Sequence, residues 1–78
     1  MIRIDLKLFV TLARFHPNGT GKGPHEVAEG TRVDQLISDL GIDGDLVKLI
    51  FVNGRKYPAD YVLADKDRVG LFPPVGGG

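Results

Sequence analysis

The sequence predicts an α+β fold, a mixed sheet of four to five strands with one main helix packed across it. Three observations carry this. The opening stretch alternates apolar and polar residues with period two. Residues 31–40 repeat apolar side chains at helical spacing. The remainder returns to short β-forming runs broken by turn signals, so strands stand on both sides of a single helix.

In the first run Ile2, Ile4, Leu6, Leu8, Val10 and Leu12 fall on one face and Arg3, Asp5, Lys7, Phe9 and Thr11 on the other. This predicts a strand over 2–12 with one buried face, and it leaves Phe9 as an aromatic on the wet side. Phe15–Pro24 is rich in Gly, Asn and Pro and reads as a loop. His25–Glu29 reads as a short second strand pairing back on the first. Thr31 is the expected helix cap, with Asp34 three residues on approximating a capping box. Val33, Leu36, Ile37 and Leu40 form the apolar stripe, and Gly41 supplies the stop. Leu46–Val52 is a β-forming run that ends at Asn53-Gly54, the strongest short hairpin signal. Lys56-Tyr57 begins the return strand and Pro58 cuts it short. Ala59–Leu63 suits one tight turn or a short helix, and Ala64–Asp67 a polar turn. Arg68–Phe72 is the final strand, with Val69 and Leu71 on one face and Arg68, Gly70 and Phe72 on the other. The first and last strands alternate most regularly, so they are expected as central, parallel neighbours. That arrangement is the β-grasp. Residues 1–72 make the expected domain and 73–78 a flexible tail.

Composition narrows the function classes. At 78 residues the chain is one domain near the lower limit for a self-sufficient core. Ten basic residues balance ten acidic ones, so no single-signed field draws it to nucleic acid or to an anionic membrane. The longest apolar run, Leu49–Val52, is far short of a membrane span, and the N-terminus has no signal-peptide layout. A cytoplasmic protein is the expectation. Cysteine is absent, which removes disulfides, thiolate catalysis and cysteine metal sites.

The remaining motifs are weak. Gly21-Lys22 lacks the flanking glycine and the hydroxyl that a phosphate loop needs. His16 and His25 have no further ligands at metal-binding spacing and read as surface histidines. Asn18-Gly19-Thr20 reads as a turn. Ser38 has no predictable base, and Asp65 and Asp67 read as solvated residues of a tight turn, one of them capping local amides. No catalytic constellation survives, so an enzyme acting alone is not expected.

The end of the sequence is different. Pro73-Pro74-Val75-Gly76-Gly77-Gly78 joins two stiffening prolines to three glycines that pack no side chain. Such a segment suits threading into a narrow active site of another protein. A terminal carboxylate is ionised at neutral pH and resists attack, so using it as an acyl donor requires activation, usually by adenylation with ATP. A sulfur nucleophile then gives a thiocarboxylate and a lysine gives an isopeptide bond.

Taken together, the strand Ile4–Leu12, the helix Thr31–Leu40, Phe51-Val52-Asn53-Gly54 and above all Leu63–Gly78 resemble the MoaD/ThiS family of ubiquitin-like sulfur carriers. The last segment is similar to the family's Asp-x-Val-x-x-Phe-Pro-Pro-Val-x-Gly-Gly ending, with Gly77 and Gly78 at the terminal pair and Gly76 at the variable position before it. The resemblance implies that Gly78 carries the reactive carboxylate, adenylated by a ubiquitin-activating-type enzyme with consumption of ATP and then converted to a thiocarboxylate. It implies no permanently bound cofactor and no metal. The implied partners are that enzyme and a sulfur-accepting synthase, such as the molybdopterin synthase large subunit. Positions matching Phe9 and Phe72 serve docking in the molybdopterin branch. Thiamine-type or tRNA-thiolation carriers, and a protein modifier joined through Gly78, are the alternatives. The sequence departs from the family in a longer, glycine-rich Phe15–Gly30 and in Lys56, where the molybdopterin branch favours an apolar residue.

Overall fold

A computed structural model describes residues 1–74. Five strands form one mixed sheet: β1 (Ile2–Leu8), β2 (Lys22–Val27), β3 (Leu49–Val52), β4 (Arg55–Lys56) and β5 (Arg68–Phe72), in the order β2-β1-β5-β3-β4. The helix α1 (Val33–Asp39) covers the inner face, and two 3-10 turns, Val10–Phe15 and Gly44–Leu46, complete the elements. β1 and β5 run parallel as central neighbours, as the alternation predicts, and this is the β-grasp arrangement.

The core follows from the two periodicities. Ile4 and Leu6 of β1, Val69 and Leu71 of β5 and Val52 of β3 are shut from solvent, and Val33 and Leu36 of α1 pack over them. The helix stops where Gly41 takes φ +80°. There the Ile42 amide reaches the Ile37 carbonyl at 3.1 Å and the Gly41 amide reaches Ser38 at 3.0 Å, a Schellman closure that also carries Ile42 into the core. Asn53 (φ 54°) and Gly54 (φ 82°) make the left-handed hairpin turn between β3 and β4.

Several expectations need correction. The first strand ends at Leu8, not Leu12. From Val10 the backbone turns into the 3-10 segment, so Val10 is 78% exposed while Leu12 swings back into the core by another route. The second strand starts at Lys22 instead of His25 and absorbs the last three residues of the predicted loop. Gly21 and Gly23 adopt positive φ there, and Pro24 is tolerated because β2 is an edge strand. The third strand keeps only Leu49–Val52 of its predicted run, because Asp43 caps a 3-10 turn just upstream. The return strand is Arg55–Lys56, one residue earlier than expected.

The helix start also differs. Arg32, not Thr31, is the N-cap residue, and the Thr31 hydroxyl donates back to the Ala28 carbonyl. The first helical amides are satisfied from a distant segment: Val33 donates to the Tyr61 carbonyl at 3.0 Å and Asp34 to the Ala59 carbonyl at 2.8 Å. Asp34 is then free to pair with the Arg32 guanidinium.

Among the described residues, no helix is long and apolar enough to cross a membrane.

Candidate functional site

Pleating puts Arg68, Gly70 and Phe72 of β5 on the open face of the sheet, opposite the core. Phe9 follows β1 in an extended conformation (φ −96°, ψ 149°), and its amide still donates to the Leu71 carbonyl at 3.1 Å. That bond holds Phe9 beside β5. Its ring lies parallel to Phe72, with centroids 4.1 Å apart and planes 5° from coplanar. The structure therefore brings together the two aromatics that alternation assigned to the wet face, although Phe9 stands just beyond the strand predicted to carry it.

Two further residues build the site. Phe51 of β3 meets Phe72 at a steep angle, with centroids 5.5 Å apart. It reads in sequence as one member of an apolar run; the signal that exposes it is parity, since Ile50 and Val52 point inward and Phe51 must point out. Gly70 is opposite Lys7 on one side and Phe51 on the other. A Cβ there would stand 3.2 Å from the Phe9 ring, so glycine is what allows the ring to lie across the strand. The result is a groove of about 370 Å³ floored by Gly70, walled by Phe9, Phe51 and Phe72, and edged by Asp5, Lys7 and Arg68.

The groove ends where the tail begins. The Phe72 carbonyl accepts the Lys48 amide at 2.8 Å, which pins the last residue of β5, and Pro73 and Pro74 follow directly. Val75, Gly76, Gly77 and Gly78, the rest of the predicted threading segment and the predicted reactive terminus, lie outside the described residues.

The turn before β5 is held from within. Asp67, expected to be solvated, is only 5% exposed. Its carboxylate accepts hydrogen bonds from Asn53 Nδ2 at 2.9 Å, the Tyr61 hydroxyl at 3.0 Å and the Ala64 amide at 2.8 Å. Burial, then the bond to Asp67, raise the Tyr61 hydroxyl above its usual pKa. Asn53 Oδ1 accepts the Arg68 amide at 2.9 Å, so the hairpin turn is tied to the base of β5. Asp65 stays exposed but caps the Arg3 amide at 2.9 Å. Both carboxylates are thus structural.

His16 is likewise not a surface residue, at 4% exposure. Nδ1 accepts the Asn18 amide at 3.2 Å, which leaves the ring proton on Nε2, directed at the Gly23 carbonyl at 3.4 Å. The imidazole locks the 16–23 loop against β2. His25 stands edge-on to it at 6.5 Å and is half-buried. Among the described residues, no three His, Asp or Glu side chains are grouped so as to hold a metal ion.

Comparison with known proteins agrees with this architecture. The profile of the ThiS family matches residues 7–78. A Pyrococcus furiosus protein provisionally assigned as molybdopterin converting factor, subunit 1, is 29% identical, with 96% of this chain and 100% of that one covered and a TM-score of 0.73. The Haloferax volcanii HVO 2177 protein is 24% identical over 99% of this chain and 87% of its own, with a TM-score of 0.76. The Haloferax volcanii small archaeal modifier protein 1 is 22% identical over 96% of this chain and 100% of its own, with a TM-score of 0.73. The last two likenesses are of fold. No curated protein sequence matches significantly. With a ubiquitin-like β-grasp body and a family profile that runs through residues 7–78, the chain belongs to the ThiS family.

Proposed function

We propose that the chain is a sulfur carrier that works through Gly78 as a recycled co-substrate and not as a stand-alone enzyme. A ubiquitin-activating-type enzyme adenylates the Gly78 carboxylate, consuming ATP and releasing pyrophosphate. Hydrosulfide delivered by a sulfur donor attacks the acyl carbon, AMP leaves with the bonding electrons, and the terminus becomes a thiocarboxylate. The thiocarboxylate then gives its sulfur to a synthase in cofactor biosynthesis, with molybdopterin the favoured product, in the cytoplasm. On this reading the chain holds no resident cofactor.

The observation that carries the proposal is the family match extending to the Gly77-Gly78 end. The likeness of the whole chain to the Pyrococcus furiosus converting-factor subunit supports the molybdopterin branch. The position of the aromatic groove supports a division of labour. A partner that grips Phe9 and Phe72 receives the tail at the point where β5 releases it, while Pro73 and Pro74 aim the segment and Val75, Gly76 and Gly77 thread it.

Intact mass after incubation with the adenylating enzyme of the same organism, ATP and a sulfur donor tests the proposal. The expected result is replacement of one terminal oxygen by sulfur. High-mass conjugates that vanish on deleting Gly78 would make the chain a protein modifier instead, and no change with a competent enzyme would overturn both. Gly78→Ala is expected to cut adenylation far more than it lowers melting temperature, since a β-carbon crowds the enzyme's channel and not this chain's core.

A further inference from the structure

The open face of the sheet is basic on a chain that is neutral overall. Arg3 and Lys7 of β1, Lys22 of β2, Lys56 of β4 and Arg68 of β5 share the outward parity, and all are exposed. The strands place only Asp5 and Glu26 on that face as carboxylates, two against five cations on a chain with ten of each. Among the described residues none of the five is within ion-pair distance of a carboxylate; the one ion pair there, Arg32–Asp34, is at the start of α1. Strand pairing therefore separates charges that the composition balances. Lys7 and Arg68 line the apolar groove with Asp5 as the one carboxylate beside them, and the other three cations extend the excess across the face, which favours a partner of opposite charge.

Cations among aromatics on an open sheet also suit single-stranded nucleic acid, which needs separate ring faces as stacking platforms. Here Phe9 and Phe72 turn one face each toward the other and Phe51 packs against Phe72, so the rings form a joined cluster. A groove floored by Gly70 and walled by that cluster fits an inserted side chain better than a row of bases.

We propose that this face docks on a protein surface that is apolar at its centre and acidic at its rim. An apolar side chain of the partner seats over Gly70 between Phe51 and the Phe9–Phe72 pair, and carboxylates meet Lys7 and Arg68. The inference rests on the reading of this face as the surface gripped by a partner that receives the tail, and it takes the activating enzyme as that partner.

Association of the full chain with the adenylating enzyme of the same organism, followed at low and at physiological salt, tests it. The on-rate is expected to fall as salt rises. Lys7→Glu combined with Arg68→Glu is expected to slow association roughly tenfold at low salt and to flatten the salt dependence, with Arg14→Glu, off this face, unchanged. If the double reversal lowers melting temperature, Lys7→Gln with Arg68→Gln carries the same test with a smaller slope change. Association that ignores salt and both double variants overturns the acidic rim. If Phe72→Ala alone then abolishes binding, docking by this face stands without the charges; if Phe72→Ala also binds normally, the docking reading has failed as well. Tighter binding to a single-stranded RNA oligonucleotide than to the enzyme would also overturn the proposal.

Discussion

On the inner face of the sheet, Leu6, Val69 and Leu71 lie beneath α1 with at most 1% exposure. On the outer face, the same two strands carry Lys7, Arg68, Gly70 and Phe72 toward solvent. The two sets interleave one residue apart, yet they serve different ends. The inner set stabilises by removing apolar surface from water. The outer set keeps apolar rings half in water, an arrangement that adds little to stability and is useful only when something covers it. Pleating lets one five-residue strand do both, because consecutive side chains never share a face.

The sharpest way to break this contrast is a pair of neighbouring truncations. Leu71→Ala empties a fully buried position and is expected to cost about 2–5 kcal/mol in urea unfolding, a large share of what a domain this small has. Asp67→Ala comes next, at about 1–3 kcal/mol, because it leaves Asn53 Nδ2, the Tyr61 hydroxyl and the Ala64 amide without their acceptor. Asp65→Ala, two residues away and exposed, should stay within about 1 kcal/mol. Phe72→Ala loses two aromatic contacts at a half-exposed site and is expected to cost about 1 kcal/mol of stability while removing enzyme binding. A loss from Phe72→Ala equal to that from Leu71→Ala would show that the two faces are not separable.

A smaller effect lies on the β2 side. Burial, and next the neighbouring His16 ring, hold the His25 imidazole below its usual pKa, against the opposing pull of Asp39. The unfolded chain therefore binds that proton first as pH drops below about 6.5, so the stabilisation is complete above this value and is lost below it, until the folded ring also titrates. Urea midpoints should decline on moving from about pH 7.5 to about pH 5.5, and His25→Gln should flatten the decline. A midpoint that rises on acidification would contradict the burial of this ring.

Much of this was legible in residue order, and the misses share a cause. β5 and the inward parity of β1 are plain because one face of each is wholly buried, which ties hydrophobicity to pleat. Gly41 and Asn53-Gly54 are plain because few residues tolerate left-handed backbone. The overlong first strand failed because Leu12 is apolar for a different reason, packing from a 3-10 turn, and its alternation with Val10 is a coincidence of spacing. The helix cap failed because the atoms that satisfy its first amides belong to Ala59 and Tyr61, and no local motif announces them. His16 and Asp67 look solvated in the sequence since polar residues in turn-rich stretches usually are; their burial depends on what folds over them.

By itself, then, the amino-acid order determined which residues of β1 and β5 face inward, where α1 stops and the β3–β4 hairpin turns, and that Phe9 and Phe72 point away from the core, because pleat and φ preference are local properties. The tertiary structure decided that those two rings stack, that Phe51 and Gly70 complete a groove with them, and that five cations share its face of a neutral chain, two of them, Lys7 and Arg68, at its edge. These depend on which strands lie side by side and in what register, and β1 and β5 meet across some sixty residues of sequence only when the core beneath them closes.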